Sequence, residues 1–198
     1  MRAQIKLVLA LAAVLVVISH ACAETAPANA EAQVQRGINP RYLLMNDRGQ
    51  AVTDQDFPGR FQLISFGYTF CPDVCPTTLA EMSLILDKLG KKSRRMQALF
   101  VTLDPERDTP EVLRNYTAYF NSRIMGLSGS PELVRRVADN FKVRYEKHLE
   151  PGAAKDKYSV DHSAGMYLLG PDGRFLAKFA YATPPEQIAQ RILHLMDA

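Results

Sequence analysis

The chain has 198 residues, 47% of them hydrophobic and 23% charged, which is typical of a folded globular protein and argues against a disordered or fibrous one. Its 24 basic and 21 acidic side chains give a formal net charge of +3 without a stripe of basic residues, so the charge pattern does not favour nucleic acid as a partner. We expect one compact domain.

The N-terminal segment has the pattern of an export signal. Two basic residues, Arg2 and Lys6, precede an apolar run over 7–18, and small residues at 21 and 23 form a cleavage site. The run is short for a membrane span, which needs about 20 residues. Residues 1–23 are therefore predicted to be a signal peptide, with a short membrane anchor as the alternative. The protein is predicted to be periplasmic, either free or tethered to the inner membrane.

The folded domain is predicted to follow a short linker. Residues 24–40 are rich in alanine and lack apolar periodicity, which is typical of a flexible linker. The domain, residues 41–198, then opens with two short apolar runs, 42–45 and 51–52. The turn residues at 46–49 between them predict a hairpin.

Strands and amphipathic helices alternate after this hairpin. The predicted strands are 61–68, 98–103, 124–127, 166–169 and 175–181, and the predicted helices are 77–89, 110–120, 131–141 and one that starts near 183. The polar segment 150–159 is the longest predicted loop. This order predicts an α/β protein with a central mixed sheet, helices on both faces and an extra N-terminal hairpin.

Cysteine usage is the most informative feature of the sequence. Once an export signal is removed, only Cys71 and Cys75 remain, and in an oxidising compartment such a pair is a disulfide or a metal site. A disulfide that closes so short a loop stabilises the fold little. The pair lies between a predicted strand and a predicted helix, whose N-terminus lowers the pKa of a thiol, as a metal ligand or a redox thiol requires. The spacing lets both sulfurs reach one soft ion and also permits a disulfide.

His162 is the candidate for a third ligand, because it follows the longest predicted loop and precedes a predicted strand. Two thiolates and an imidazole suit copper, as Cu(I) through the soft sulfurs and as Cu(II) through the nitrogen. A closed structural zinc site would need a fourth ligand, and no further cysteine is present in the exported chain. The neighbouring Asp161 either hydrogen-bonds the imidazole or is a solvated loop residue.

Three separated segments resemble, in order, the Sco/SenC proteins, which are copper chaperones of cytochrome c oxidase assembly. The segments are FGYTFCPDVCPTTLAEM, VTLDPERDTPEVLRNY and VDHSAGMYLLGPDGRF, and the resemblance covers about residues 40 to 197. It implies a thioredoxin-like fold, with Cys71, Cys75 and His162 at the positions of the family's copper ligands. It also implies delivery of copper to the binuclear CuA centre of oxidase subunit II, or reduction of the cysteines of that subunit. The DPERDTP run is interpreted as a turn followed by a helix N-cap at Thr109.

Three functions remain open from the sequence. A metallochaperone would bind one copper through Cys71, Cys75 and His162 and pass it to subunit II by ligand exchange, with other periplasmic copper chaperones as further partners. A thiol-disulfide oxidoreductase would use Cys71 and Cys75 as its catalytic redox pair and keep the CuA cysteines reduced. A peroxidase-like thioredoxin relative would have one cysteine oxidised by peroxide. His162 favours the chaperone, because a simple dithiol exchanger does not need it. We expect a monomer.

Overall fold

The computed structural model describes residues 37–152, 154 and 156–197 of the chain. The predicted signal peptide or anchor and most of the predicted linker lie outside these residues. None of the helices within the described ranges is both long and apolar enough to cross a membrane.

Strands and helices alternate along the domain. In chain order the elements are β1 (Leu43–Asn46), β2 (Ala51–Thr53), β3 (Phe61–Gly67), α1 (Val74–Lys88), a 3-10 helix (Gly90–Arg95), β4 (Met96–Thr102), α2 (Pro110–Phe120), β5 (Ile124–Ser128), α3 (Pro131–Phe141), β6 (Tyr145–Leu149), β7 (Tyr158–His162), β8 (Met166–Leu169), β9 (Phe175–Phe179) and α4 (Pro185–Asp197).

Seven of these strands form one mixed sheet in the order β2-β1-β5-β4-β3-β8-β9. The three central strands, β3, β4 and β5, are parallel, and β1 and β8 join them antiparallel on either side. Strands β6 and β7 pair with each other in a separate antiparallel sheet. Because β3 and β4 are parallel, the segments that follow them leave the sheet at the same edge. This brings the cysteine segment beside the DPERDTP segment.

Helices cover both faces of the large sheet. One core cluster receives Val137 and Phe141 from α3. The cluster on the other face receives Leu79 from α1, Leu113 from α2 and Ile192 from α4. The predicted α/β class, the mixed central sheet, the helices on both faces and the N-terminal hairpin are therefore confirmed.

Local chemistry sets the starts of α2 and α3. The Thr109 hydroxyl accepts a hydrogen bond from the amide of Val112, and the Ser130 hydroxyl accepts one from the amide of Leu133, both at 3.3 Å. A proline follows each cap at the first helical position, where its missing N–H costs nothing. Both helix starts were predicted from these residues and are confirmed.

Two sequence predictions near the candidate site were wrong. Helix α1 begins at Val74 and not at 77, so Cys75 lies in its first turn; its N-cap residue, Asp73, makes no side-chain capping bond that could mark the start. The predicted loop over 150–159 is shorter, because its last two residues belong to β7, and His162 ends that strand. The β6–β7 hairpin exposes most of its side chains and so lacks the apolar alternation that identifies strands.

Candidate metal centre

Strand β3 and helix α1 together position Cys75. The strand ends at Gly67, and Cys75 follows in the first turn of α1 with only 2% of its surface exposed. A side chain at residue 67 would place its Cβ 2.6 Å from the Cys75 sulfur. The absence of a side chain at Gly67 therefore makes the space that the thiol occupies.

Cys71 lies four residues earlier, before the helix begins, and is half-buried; Cys71 and Cys75 are free thiols. Burial opposes ionisation of Cys71, but hydrogen bonds to its sulfur from the backbone amides of Asp73, Cys75 and Val74 outweigh it and lower the pKa. These amides belong to the N-terminal end of α1, where unpaired N–H groups stabilise an anion. Cys71 therefore ionises more readily than an ordinary cysteine.

Cys75 has the opposite tendency. Burial is the main cause that raises its pKa, and the hydrogen bond to Cys71 and the negative charge of Asp108 act in the same direction. Hence the two thiols are not equivalent: Cys71 is more accessible and ionises more readily, while the enclosed Cys75 is favoured in its protonated form. Such asymmetry is typical of a redox dithiol, and it also means that a metal ion must displace the proton of Cys75.

His162 reaches the dithiol from the end of β7. Its Nε2 lies 3.6 Å from the Cys75 sulfur, and its Nδ1 lies 3.1 Å from the carbonyl oxygen of Ser163. Because a carbonyl only accepts, Nδ1 carries the proton in the neutral ring, and the lone pair of Nε2 faces the sulfur. The neighbouring Asp161 is exposed, and the ring bonds to Ser163 instead.

The surroundings of His162 keep the imidazole neutral. Burial lowers its pKa, and this outweighs the opposing hydrogen bond to Ser163 and the charge of Asp161. The ring of Tyr68 meets the imidazole edge to face, with ring centroids 6.2 Å apart. A neutral imidazole is the form that coordinates a metal ion.

Asp108 supports the cysteine segment and was not predicted as part of the site. Its buried carboxylate accepts a hydrogen bond from the Thr102 hydroxyl at 2.5 Å and bonds from the amide and hydroxyl of Thr69, two residues before Cys71. Burial raises the pKa of Asp108, against the effect of these bonds. The position of Asp108 in the sequence could have indicated this role. It follows a buried strand that runs parallel to β3, and ligand sites form at the edge of the sheet where such strands end.

The sequence-based prediction also left out three residues beside the site, which are Asp104, Arg107 and Tyr158. Asp104 is fully buried at the end of β4, pairs with Arg107 and accepts a hydrogen bond from the Tyr158 hydroxyl at 2.7 Å. The guanidinium of Arg107 lies over the Tyr158 ring and also faces Phe70, which is 58% exposed beside Cys71. The DPERDTP run is the predicted turn and helix start, but it also connects the dithiol region to the hairpin that holds His162.

The structure brings the three predicted ligand residues into one neighbourhood without forming a finished site. Among the described residues, no group of three or more Cys, His, Asp or Glu side chains is placed so that it could hold a metal ion as it stands. The donor set of two sulfurs and one imidazole nitrogen fits a soft ion such as copper. The arrangement can therefore do two kinds of chemistry, which are closing around a soft ion and exchanging disulfides.

Comparison with known proteins gives the family. The model of the SCO1/SenC family matches residues 30–197. The chain belongs to the SCO1/SenC family. The protein sco1 of Schizosaccharomyces pombe is 38% identical to it over 154 residues, a match that covers 76% of this chain and 58% of that protein. The chain thus spans little more than half the length of this relative.

Solved structures of family members share the fold. The structure of Bradyrhizobium japonicum ScoI with copper bound is 39% identical, covers 79% of this chain and 98% of that chain, and superposes with a TM-score of 0.71. The crystal structure of yeast Sco1 with copper bound is 30% identical, covers 82% and 90% respectively, and has a TM-score of 0.74. The thioredoxin-like fold that the sequence predicted is thereby confirmed.

Proposed function

We propose that this SCO1/SenC chain is a copper chaperone of cytochrome c oxidase assembly that holds copper as its cargo through Cys71, Cys75 and His162. One observation carries the proposal: Nε2 of His162 lies 3.6 Å from the sulfur of Cys75, which follows Cys71 by four residues in the same segment. The copper-bound structures of the Bradyrhizobium and yeast relatives support copper as the cargo.

Loading depends on the protonation of the three ligand residues. The lowered pKa of Cys71 favours its ionisation, and the lowered pKa of His162 keeps the imidazole neutral near neutral pH. Cys75 must lose its proton as copper binds, because burial favours its neutral thiol. Copper binding therefore releases a proton, and its affinity falls as the pH falls.

The acceptor in this proposal is the CuA site of oxidase subunit II, reached on the exported side of the membrane. Transfer proceeds by ligand exchange, in which acceptor cysteines replace the three ligands one at a time. Cys71 is the accessible ligand and is exchanged first, while the enclosed Cys75 is exchanged last. The exposed ring of Phe70 beside Cys71 belongs to a cleft of about 730 Å³ that leaves room for an acceptor segment.

A second function, thiol-disulfide exchange with the same acceptor, is favoured by the asymmetry of the two thiols. The Cys71 thiolate attacks an acceptor disulfide, that bond breaks, and a mixed disulfide forms as one acceptor thiolate leaves. Cys75 then loses its proton and attacks Cys71, which forms the Cys71–Cys75 disulfide and releases the second acceptor thiolate. The acceptor gains the two electrons that the cysteine pair loses.

A paired titration separates the two functions. The reduced protein and its Cys71→Ser, Cys75→Ser, His162→Ala and His148→Ala variants are titrated with Cu(I) and with Cu(II), beside a disulfide-reduction assay on a subunit II peptide. We expect one copper per wild-type chain, no tight binding in either serine variant, and weaker binding in His162→Ala, mostly of Cu(II). His148 is exposed and pairs with Glu150, so its variant is the matched control.

The reduction assay supplies the other half of the test. His162→Ala is expected to reduce the peptide at nearly the wild-type rate, because the imidazole contributes no electrons to thiol exchange. If His162→Ala binds both copper states like the wild type and fails to reduce the peptide, the metal-ligand assignment is wrong and the oxidoreductase replaces it.

A further inference from the structure

The hairpin that presents His162 has little packing of its own. Strands β6 and β7 form a two-stranded sheet apart from the seven-stranded one, and Val160 is its only fully buried residue. An isolated two-stranded hairpin is marginally stable in water. Contacts with the rest of the domain must therefore hold it, and with it His162, in place.

One cluster supplies several of these contacts. Arg107 donates hydrogen bonds from Nη1 to the carbonyl oxygens of Asp156 at 3.1 Å and Tyr158 at 2.9 Å, and its guanidinium carbon lies 3.6 Å from the centre of the Tyr158 ring. The hydroxyl of the same tyrosine donates to Asp104, which in turn pairs with Arg107. Asp104, Arg107 and Tyr158 thus form a closed set of contacts, here called the clamp.

The clamp starts from the same turn that supports the cysteines. The amides of Arg107 and Asp108 both donate to the carbonyl of Asp104, at 3.2 and 2.9 Å, so the three residues share one tight turn after β4. From this turn the Asp108 carboxylate holds Thr69 near Cys71, while Arg107 holds β7. The turn therefore sets the position of the hairpin relative to the dithiol.

We propose that Arg107, acting through Tyr158, is a positioning residue that fixes His162 opposite Cys75. This inference rests on the proposed function for its copper readout. A planar guanidinium suits the task because it stacks on the tyrosine ring while its edges donate to two carbonyls and a carboxylate, which an ammonium group does not do. Arg107 also lies over the ring of Phe70, next to Cys71, whereas Tyr158 lies on the same strand as His162, so Tyr158→Ala is the variant that tests the route through the imidazole.

Three variants distinguish a positioning role of the clamp from a role in stability alone. Tyr158→Ala removes the stacked ring and the hydroxyl from a half-buried strand position at the border of one core cluster. Arg107→Lys keeps the charge beside the buried Asp104 but removes the planar stack. His148→Ala changes an exposed side chain on the same hairpin, outside the clamp, and is the control.

The first readout needs no metal. Amide hydrogen exchange in the metal-free, reduced protein is expected to accelerate about tenfold in β6 and β7 of Tyr158→Ala, and by less in Arg107→Lys. Exchange in β3 and α1 is expected to stay at the wild-type rate, and His148→Ala is expected to exchange like the wild type. If amide exchange in β6 and β7 is unchanged in both Tyr158→Ala and Arg107→Lys, the clamp does not hold the hairpin and the inference is overturned.

The second readout is a double-mutant cycle on Cu(II) affinity. Tyr158→Ala is expected to weaken binding about 10- to 100-fold in the wild-type background and not at all in the His162→Ala background. An equal loss in both backgrounds would show that the tyrosine acts without His162 and would overturn the inference. If the single variant His162→Ala binds Cu(II) with wild-type affinity, the proposed ligand set is wrong. The hydrogen-exchange data would then still test the clamp.

Discussion

Cys75 and His162 face each other across 3.6 Å, yet they belong to parts of the molecule that are built in different ways. The dithiol follows a fully buried central strand and enters a helix that packs on the main core. The histidine ends an exposed hairpin that polar contacts hold against the domain. Burial fixes the sulfurs, whereas a few hydrogen bonds and a stacked ring fix the nitrogen.

This difference suits a protein that must both hold a metal ion and release it. Moving the cysteines would disturb packing in the large sheet, which costs free energy over many contacts. Moving the hairpin breaks fewer contacts, so in this account the imidazole can leave the ion while the dithiol stays in place. Substitutions in the two regions are therefore expected to differ in their effect on stability.

The largest effect on stability is expected from Asp108→Ala. It leaves the buried Thr102 hydroxyl and the Thr69 amide without their acceptor, and each unpaired buried group costs about 1–3 kcal/mol. The matched change on the hairpin is Lys147→Ala, which removes a partly exposed ammonium group that pairs with Glu106 and also lies 3.9 Å from Asp104 and over the Tyr158 ring, and it is expected to cost about 1 kcal/mol or less. Urea unfolding of the reduced, metal-free proteins measures both. Equal losses of unfolding free energy in Asp108→Ala and Lys147→Ala would contradict the expected difference between the two regions.

Gly67→Ala is expected to have an intermediate effect on stability and a specific effect on copper. The added Cβ would lie 2.6 Å from the Cys75 sulfur and 3.0 Å from the Phe100 ring, and overpacking of this kind costs about 1–3 kcal/mol. Gly126→Ala is the control, because Gly126 lies in β5 of the same sheet and the three atoms nearest to its Cβ would all belong to Leu113 of α2, the closest at 3.1 Å. Gly67→Ala is expected to destabilise the fold at least as much as Gly126→Ala, but only Gly67→Ala is expected to weaken copper binding. Similar copper affinity in both would show that the space beside Cys75 is not needed.

The smallest effect is a difference in reactivity between the two thiols. Because the pKa of Cys71 is lowered and that of Cys75 is raised, iodoacetamide is expected to label Cys71 first near pH 7. Against pH, the labelling rate of Cys71 is expected to reach its midpoint below the pKa of an ordinary cysteine. Peptide mass mapping locates the label, and Cys71→Ser is the control in which Cys75 stays slow. Faster labelling of Cys75 would reverse the assignment of the two thiols.

The two regions also differ in how far the sequence predicts them. Strands β3 and β4 are mostly apolar, and the Thr109-Pro110 and Ser130-Pro131 pairs mark helix starts through contacts within a few residues. Local chemistry decides these elements, so they were predicted. Strands β6 and β7 are held by Arg107, about 50 residues from its partners, and no local pattern shows such a contact.

The candidate site was predicted in the same uneven way. The residue types and spacing of Cys71 and Cys75 suggest a soft metal or redox pair, and the resemblance to a known family pointed to His162. The roles of Asp108 and Arg107 depend on the meeting of two parallel-strand loops at one edge of the sheet. Which thiol ionises also depends on the start of α1, which lies three residues earlier than the apolar spacing predicted.

The most direct test of the central claim is X-ray absorption at the copper edge of the reduced, copper-loaded protein and of its His162→Ala variant. The account predicts two sulfur ligands and one imidazole nitrogen in the wild type, with the nitrogen lost and both sulfurs kept in the variant. Identical copper environments in the two proteins would contradict it, since His162 would then not be a ligand.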